Sequence, residues 1–267
     1  MTKGDTLYHY SNISGVHGIL TSGCLWATDY RYLNDTNELS IAIESLINSC
    51  EESWREALNW GLRYHSSSRS HFVISFSKSP KVLSQWRAYA NDGKGAAIGF
   101  RTTCLERNFI KNTKASLVEC KYFDHSAEIE TIAHKHKATL ELLVNLFREN
   151  RAINAFMEKV ESEYIQLDYL FDDLLSVKNE AFAEEQEVRL VLHAPKKEVK
   201  LRSTENLIIP YIEHHFIPKD DRPMLRYAVN EIWLGPKCDL RNKESFEHYD
   251  GLVRYTSDIQ VYDCGYK

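Results

Sequence analysis

Two apolar runs stand on either side of a polar, aromatic connection: Val73, Ile74 and Phe76, then Ala96, Ala97, Ile98, Gly99 and Phe100. Runs of this length bounded by turn residues predict buried strands. Between them, Ser79-Pro80 predicts a helix start, with Ser79 as N-cap and Pro80 at the first helical position. That short helix carries Leu83, Trp86, Arg87 and Tyr89 and stops at Asn91-Asp92-Gly93. Hydroxyls and aromatic rings therefore sit beside strand ends, where α/β and α+β folds commonly build pockets.

The rest of the chain is read the same way. Leu7 to Tyr10 begins a strand, and Ser11-Asn12 caps a helix from Ile13 to Ser22 that Gly23 ends. Leu25 to Thr28 is a second strand. After a polar loop, a helix or broken pair runs through Leu39, Ile43 and Leu46 to about Tyr64. Ala115 to Phe123 and Phe182 to His193 predict strands; Leu207 to Tyr211 predicts an edge strand, followed by a loop over 213–222. Val229 to Gly235 predicts a strand, Asn242 to Gly251 a helix, and Ile259 to Tyr262 the last strand. Residues 127–178 lack glycine and proline, with leucines recurring at three and four, so two or three helices are expected there on one side of the sheet. Helices cluster and strands cluster. That predicts one α+β domain over 1–267 with a helical insertion at about 127–178.

Composition narrows the function classes. The chain has 267 residues, 43% hydrophobic and 27% charged, with net charge -5. That suits a globular protein with a sizeable core and argues against a wholly electrostatic nucleic-acid binder. No apolar run approaches the ~20 residues of a membrane span. The six cysteines form no CxxC pair, and no leader is evident, so reduced thiols in a cytoplasmic protein are expected. His214-His215 and His134-Lys135-His136 lack companions at ligand spacing, so no metal is expected.

Candidate chemistry lies in Glu185-Gln186-Glu187-Val188-Arg189. As a strand, Glu185, Glu187 and Arg189 share one face, opposite Val188, Leu190 and Leu192. That face is either an exposed Glu–Arg pair of little energetic weight or a carboxylate held at a cleft by Arg189. His9 lies between Tyr8 and Tyr10 and points opposite to both. Ser75 and Ser77 share a strand face, where backbone hydrogen bonding is the plainer role.

These segments resemble a widespread prokaryotic family catalogued as a domain of unknown function, DUF2971. They are Leu7 to Tyr10, Leu25-Trp26 with Leu33-Asn34-Asp35 and Glu38, Ile74 to Ser77, Gln85-Trp86 with Tyr89 and Gly95, Gly99-Phe100, and Glu185, Glu187 and Arg189. More distantly, the order is similar to ADP-ribosyltransferases, which carry a His or Arg on the first strand, a Ser-x-Ser strand or a Tyr in the middle, and a late Glu-x-Glu or Gln-x-Glu pair. That likeness implies a mixed or antiparallel split sheet flanked by helices, with NAD as substrate. Glu187, Glu185 and His9 would then be catalytic, and His9, Tyr10, Ser75, Ser77, Trp86, Tyr89 and Arg189 would bind the dinucleotide.

By the same resemblance the chain is an ADP-ribosyltransferase or NAD glycohydrolase acting as a toxin or antiviral-defence effector. Its acceptor is then a protein or nucleic acid, with a partner protein in a defence or toxin system. Two other classes stay open. One is a metal-dependent nucleic-acid-processing enzyme using Asp35, Glu38, Glu185 and Glu187 with Mg²⁺. The other is a non-catalytic sensor in which these residues only hold the fold.

Overall fold

The computed structural model describes residues 6–33, 37–107, 114–122, 125–150, 152–194, 196–218, 224–249 and 258–266. Strands β1 (Thr6–Ser11) and β2 (Cys24–Asp29) flank helix α1 (Ile13–Ser22). Asn12 accepts a hydrogen bond from the Gly15 amide at the start of α1, and Gly23 closes it in the left-handed conformation at φ 66°. Helices α2 (Glu38–Ser49) and α3 (Glu52–Ser68) form the broken pair. Then come β3 (His71–Ser77), α4 (Leu83–Ala88), β4 (Ala96–Arg101), α5 (Thr102–Leu105) and β5 (Lys114–Glu119).

The insertion is four helices, α6 (His125–Lys135), α7 (Lys137–Glu149), α8 (Ile153–Ser162) and α9 (Tyr164–Leu174). The chain continues through β6 (Glu187–His193), β7 (Lys200–Ser203), β8 (Ile208–His215), α10 (Leu225–Ala228), β9 (Val229–Leu234), α11 (Arg241–Phe246) and β10 (Asp258–Val261). The domain is α+β, with one ten-stranded mixed sheet and helices around it.

Several boundaries differ from expectation. Ser79 does not cap a helix: its Oγ accepts from the Lys81 amide two residues on, and α4 starts only after Val82. The strand expected from Phe182 begins at Glu187, because 180–185 is a 3₁₀ turn and Gln186 adopts φ 48°. The strand expected at the sheet edge, Leu207 to Tyr211, is internal. As β8 it runs on to His215 and lies between β2 and β7.

Strand β3 organises the sheet. Along one edge it pairs with β6 over its whole length, from His71 opposite His193 to Ser77 opposite Glu187. On the other edge, β2 pairs with it only at Phe72 and Val73, and β1 only at Ser77. The two therefore part beside residues 74–76, and the sheet forks there. One wing is β1, β4, β9 and β10; the other is β2, β8 and β7. The pleat sends Phe72, Ile74 and Phe76 into a core with Val188, Leu190 and Leu192. Val73 and Val191 face the other way, under α2, α3 and α6 to α9.

A third, smaller core holds Tyr8, Tyr10, Trp86, Ala90 and Ala97. Trp86 is fully buried, lies edge-on to Tyr10 at 4.8 Å, stacks on Tyr262, and donates from Nε1 to the Pro80 carbonyl at 3.0 Å. It binds α4 to the sheet instead of presenting a ring for a ligand. Trp86→Ala is expected to lower the free energy of unfolding by about 3–5 kcal/mol, read from the urea midpoint. Trp86→Phe keeps most of the packing and should lose only about 1 kcal/mol with its hydrogen bond. The turn after α4 depends on glycine at 95, where a Cβ would stand 2.2 Å from the Ser11 carbonyl oxygen.

His214 is buried opposite Leu25. Burial pushes its pKa down to about 4, against a weaker pull upward from the Leu105 backbone and a further push down from His215. The folded value lies below the unfolded one, so between about pH 6.5 and 4 the unfolded chain binds more protons and stability rises with pH. Acidification from pH 6.5 to 5 should therefore cost the parent about 2 kcal/mol more than His214→Phe, compared by urea midpoints.

Candidate functional site

The fork opens into one cavity of about 1000 Å³ whose lining reaches both faces of the parted sheet. His9, Tyr10, Ser75, Tyr89, Glu187 and Arg189 all line it. Strand register sets how they enter. Tyr8, Ser77 and Glu187 lie opposite one another and share a face, so His9 points to the other face, beside Phe76. His9, Ser75, Tyr89 and Glu187, expected to line one pocket, do so, but His9 and Glu187 point to opposite faces of the sheet, which counts against a site in which both act.

His9 ties the fork. Its Nδ1 lies 3.0 Å from the Ser75 carbonyl oxygen, which can only accept, so Nδ1 carries the proton and Nε2 offers a lone pair. Burial lowers the pKa of this ring, and the Ser75 bond raises it less. Tyr10 donates to the Ser79 carbonyl at 2.8 Å, which fixes its ring between Trp86 and the cavity. Tyr89 sits at the end of α4, 41% exposed, at the rim.

The opposite wall is an ion network. Glu187 accepts from Arg189 Nε at 3.1 Å and from Lys178 Nζ at 2.7 Å. Lys178 also donates to Glu185 at 2.6 Å, and Arg189 reaches Glu38 at 2.9 Å and the Leu175 carbonyl at 2.7 Å. Burial opposes the charge on Glu187, but Arg189 and Lys178 outweigh it and hold the carboxyl at about 2. Glu187 is therefore ionised at neutral pH. Its backbone is fixed too: the amide donates to the Tyr122 hydroxyl at 2.6 Å, and the carbonyl accepts from the Cys120 amide at 2.9 Å.

This wall corrects the expectation of an exposed strand face. Every residue of β6 is buried, because the helical layer covers the Glu187–Arg189 face. Glu185 is not on the strand: the left-handed Gln186 separates it from Glu187, and Lys178 rather than the pleat brings the two carboxylates together. Glu185, Ser77 and Trp86 lie outside the cavity lining. Ser77 donates to the Glu185 carbonyl at 2.7 Å and accepts from the Ser79 amide at 3.2 Å, so it secures the turn before β6. Asp35 falls outside the described residues.

Lys178 was not among the candidates. Its position follows from a short bridge: the Lys178 amide donates to the Lys121 carbonyl and the Lys121 amide to the Ser176 carbonyl. A lysine just after the apolar run Leu174-Leu175, ahead of two glutamates, is the only trace of this role in the sequence.

Among the described residues the six cysteines are free thiols, and no helix is long and apolar enough to cross a membrane. No curated protein and no solved structure matches the chain. Residues 85–190, which include Gln85, Trp86, Tyr89, Glu185, Glu187 and Arg189, match the family described as Protein of unknown function (DUF2971), and this supports the likeness to that family carried by its motifs.

Proposed function

We propose that the chain consumes NAD as an ADP-ribosyltransferase, or as an NAD glycohydrolase using the same site. The observation that carries this is the cavity at the fork, which brings an ionised Glu187, His9, Tyr10, Ser75 and Tyr89 around one space at the upper end of small-ligand pocket volumes. Cleavage breaks the bond between ribose C1 and the nicotinamide nitrogen. The bonding electrons leave with nicotinamide, which becomes neutral, and C1 passes through an oxocarbenium-like state. Glu187 stabilises that positive charge through the ribose 2′-hydroxyl. Water or a macromolecular nucleophile then adds to C1 and gives up its proton.

In this proposal His9 Nε2 accepts a hydrogen bond from the adenosine side, and Tyr89 stacks on the nicotinamide ring. Arg189 orients Glu187 and keeps it charged, and Glu185, expected to act on the acceptor, lies outside the cavity and instead shares Lys178 with Glu187. The acceptor is a protein or nucleic acid, and a role as a toxin or defence effector with a partner protein remains part of the proposal. A Mg²⁺ site on the same carboxylates is disfavoured, because Lys178 and Arg189 already neutralise Glu185, Glu187 and Glu38.

Incubating the folded protein with NAD and following nicotinamide by chromatography tests the proposal. Release without added divalent metal supports it. No release, together with metal-dependent cleavage of nucleic acid, would replace it with the nuclease class.

A further inference from the structure

At the ends of β3 and β6 farthest from Glu187, a second polar cluster is sealed under the helical layer. His71 and His193 are direct strand partners on the helix-facing side. Asp168 and Asp172 come from successive turns of α9, and His65 and Arg69 from the end of α3. His65, His71, Asp168 and His193 are at most 3% exposed.

The ligand-type atoms converge. His71 Nδ1 lies 3.0 Å from His193 Nδ1, and His193 Nδ1 lies 3.5 Å from Asp168 Oδ1. His65 Nε2 stands 3.2 Å from the same oxygen but outside hydrogen-bonding alignment. Four ligands at about 2.0–2.1 Å from a tetrahedral centre are separated by about 3.3–3.4 Å. The His71–His193 and His193–Asp168 separations bracket that edge length, and His71, His193 and Asp168 place their ligand atoms all within 4.8 Å of one another.

The surroundings are those of a built ligand set. Asp172 Oδ1 is 2.6 Å from His193 Nε2 and accepts a hydrogen bond from it, which leaves the Nδ1 lone pair aimed at His71 and Asp168. Arg69 holds both oxygens of Asp168 at 2.7 Å. Without a cation, His71 Nδ1 carries the proton and donates to the His193 lone pair.

We propose that His71, His193 and Asp168 bind a divalent cation of the zinc class in a buried site. Two imidazoles and one carboxylate, all buried, favour zinc over Mg²⁺ or Ca²⁺. The ion would clamp α9 onto the end of the β3–β6 pair, remote from the cleft.

The test is metal analysis and zinc-edge X-ray absorption on the full chain, purified and dialysed in trace zinc. About one zinc per chain is expected, with nitrogen and oxygen ligands at about 2.0–2.1 Å and no sulfur at about 2.3 Å. Chelation should lower the melting temperature, and zinc should restore it. His193→Gln should abolish retention, and Asp172→Asn, which keeps all three ligands, should weaken binding by roughly 10–100-fold. If His193→Gln fails to fold, Asp172→Asn decides. Cys24→Ser should retain zinc fully, although Cys24, Glu213 and His215 form the other compact set of ligand-type atoms among the described residues. A folded parent that holds no zinc and melts alike with zinc and chelator overturns the proposal. So does a sulfur shell, loss of zinc in Cys24→Ser, or unchanged affinity in Asp172→Asn.

Discussion

Glu187→Gln should reduce nicotinamide release by a factor on the order of 10²–10³, since one stabilising group at the developing charge is removed. It should also cost stability. Glu187 is 5% exposed and compensates Lys178 and Arg189, so a neutral amide leaves buried cations short of charge. Breaking one partner out of such a network costs about 3–5 kcal/mol. A rate loss therefore counts only where urea titration shows the variant folded. Glu185→Gln should separate the roles. It lies outside the cavity lining, so its loss should slow NAD cleavage less than the loss of Glu187. Full activity in folded Glu187→Gln would remove the main support for NAD chemistry here.

What the chain discloses in advance is local. Asn12 and Gly23 mark both ends of α1 because capping acts within a few residues. Val188, Leu190 and Leu192 alternate with Arg189, so the core-facing side of β6 is readable from period alone. What covers the other side is not. The helices that bury Glu187 and Arg189 are linked to them by contacts such as Arg189 with Glu38, 151 residues apart.

The fork has the same character. It exists because β1 and β2 share one edge of β3, a fact of pairing that no single strand encodes. Trp86 reads as a core ring from its helical spacing and as a ligand ring only by resemblance, and Tyr10, Tyr262 and Pro80 close around it. The histidine–aspartate cluster is invisible for the same reason. Its members come from α3, β3, α9 and β6, with none of the close spacing by which metal motifs are found in a sequence.

Lys178→Met isolates the one ion of the site that sequence patterning passes over. Removing the ammonium leaves Glu185 and Glu187 buried, with Arg189 as the remaining cation on Glu187. Stability should fall by about 3–5 kcal/mol, and Lys178→Met/Glu187→Gln should recover part of it, because a neutral pair suits a buried site better than a lone charge. The pH response should change as well. In the parent the Glu187 carboxyl sits at about 2, below its unfolded value, so the stability it contributes is present above about pH 4.3 and lost only as pH falls through that folded value. Nicotinamide release should accordingly be insensitive to protonation of Glu187 across pH 5–8. Without Lys178, burial pushes the carboxyl upward against Arg189 alone, the anion is lost at higher pH, and the acid limb of the rate profile moves toward neutrality. The pH profile of nicotinamide release and urea midpoints for the parent, both single variants and the double variant form the cycle that measures this coupling. Parental stability and a parental profile in Lys178→Met would mean that Arg189 alone fixes the charge on Glu187.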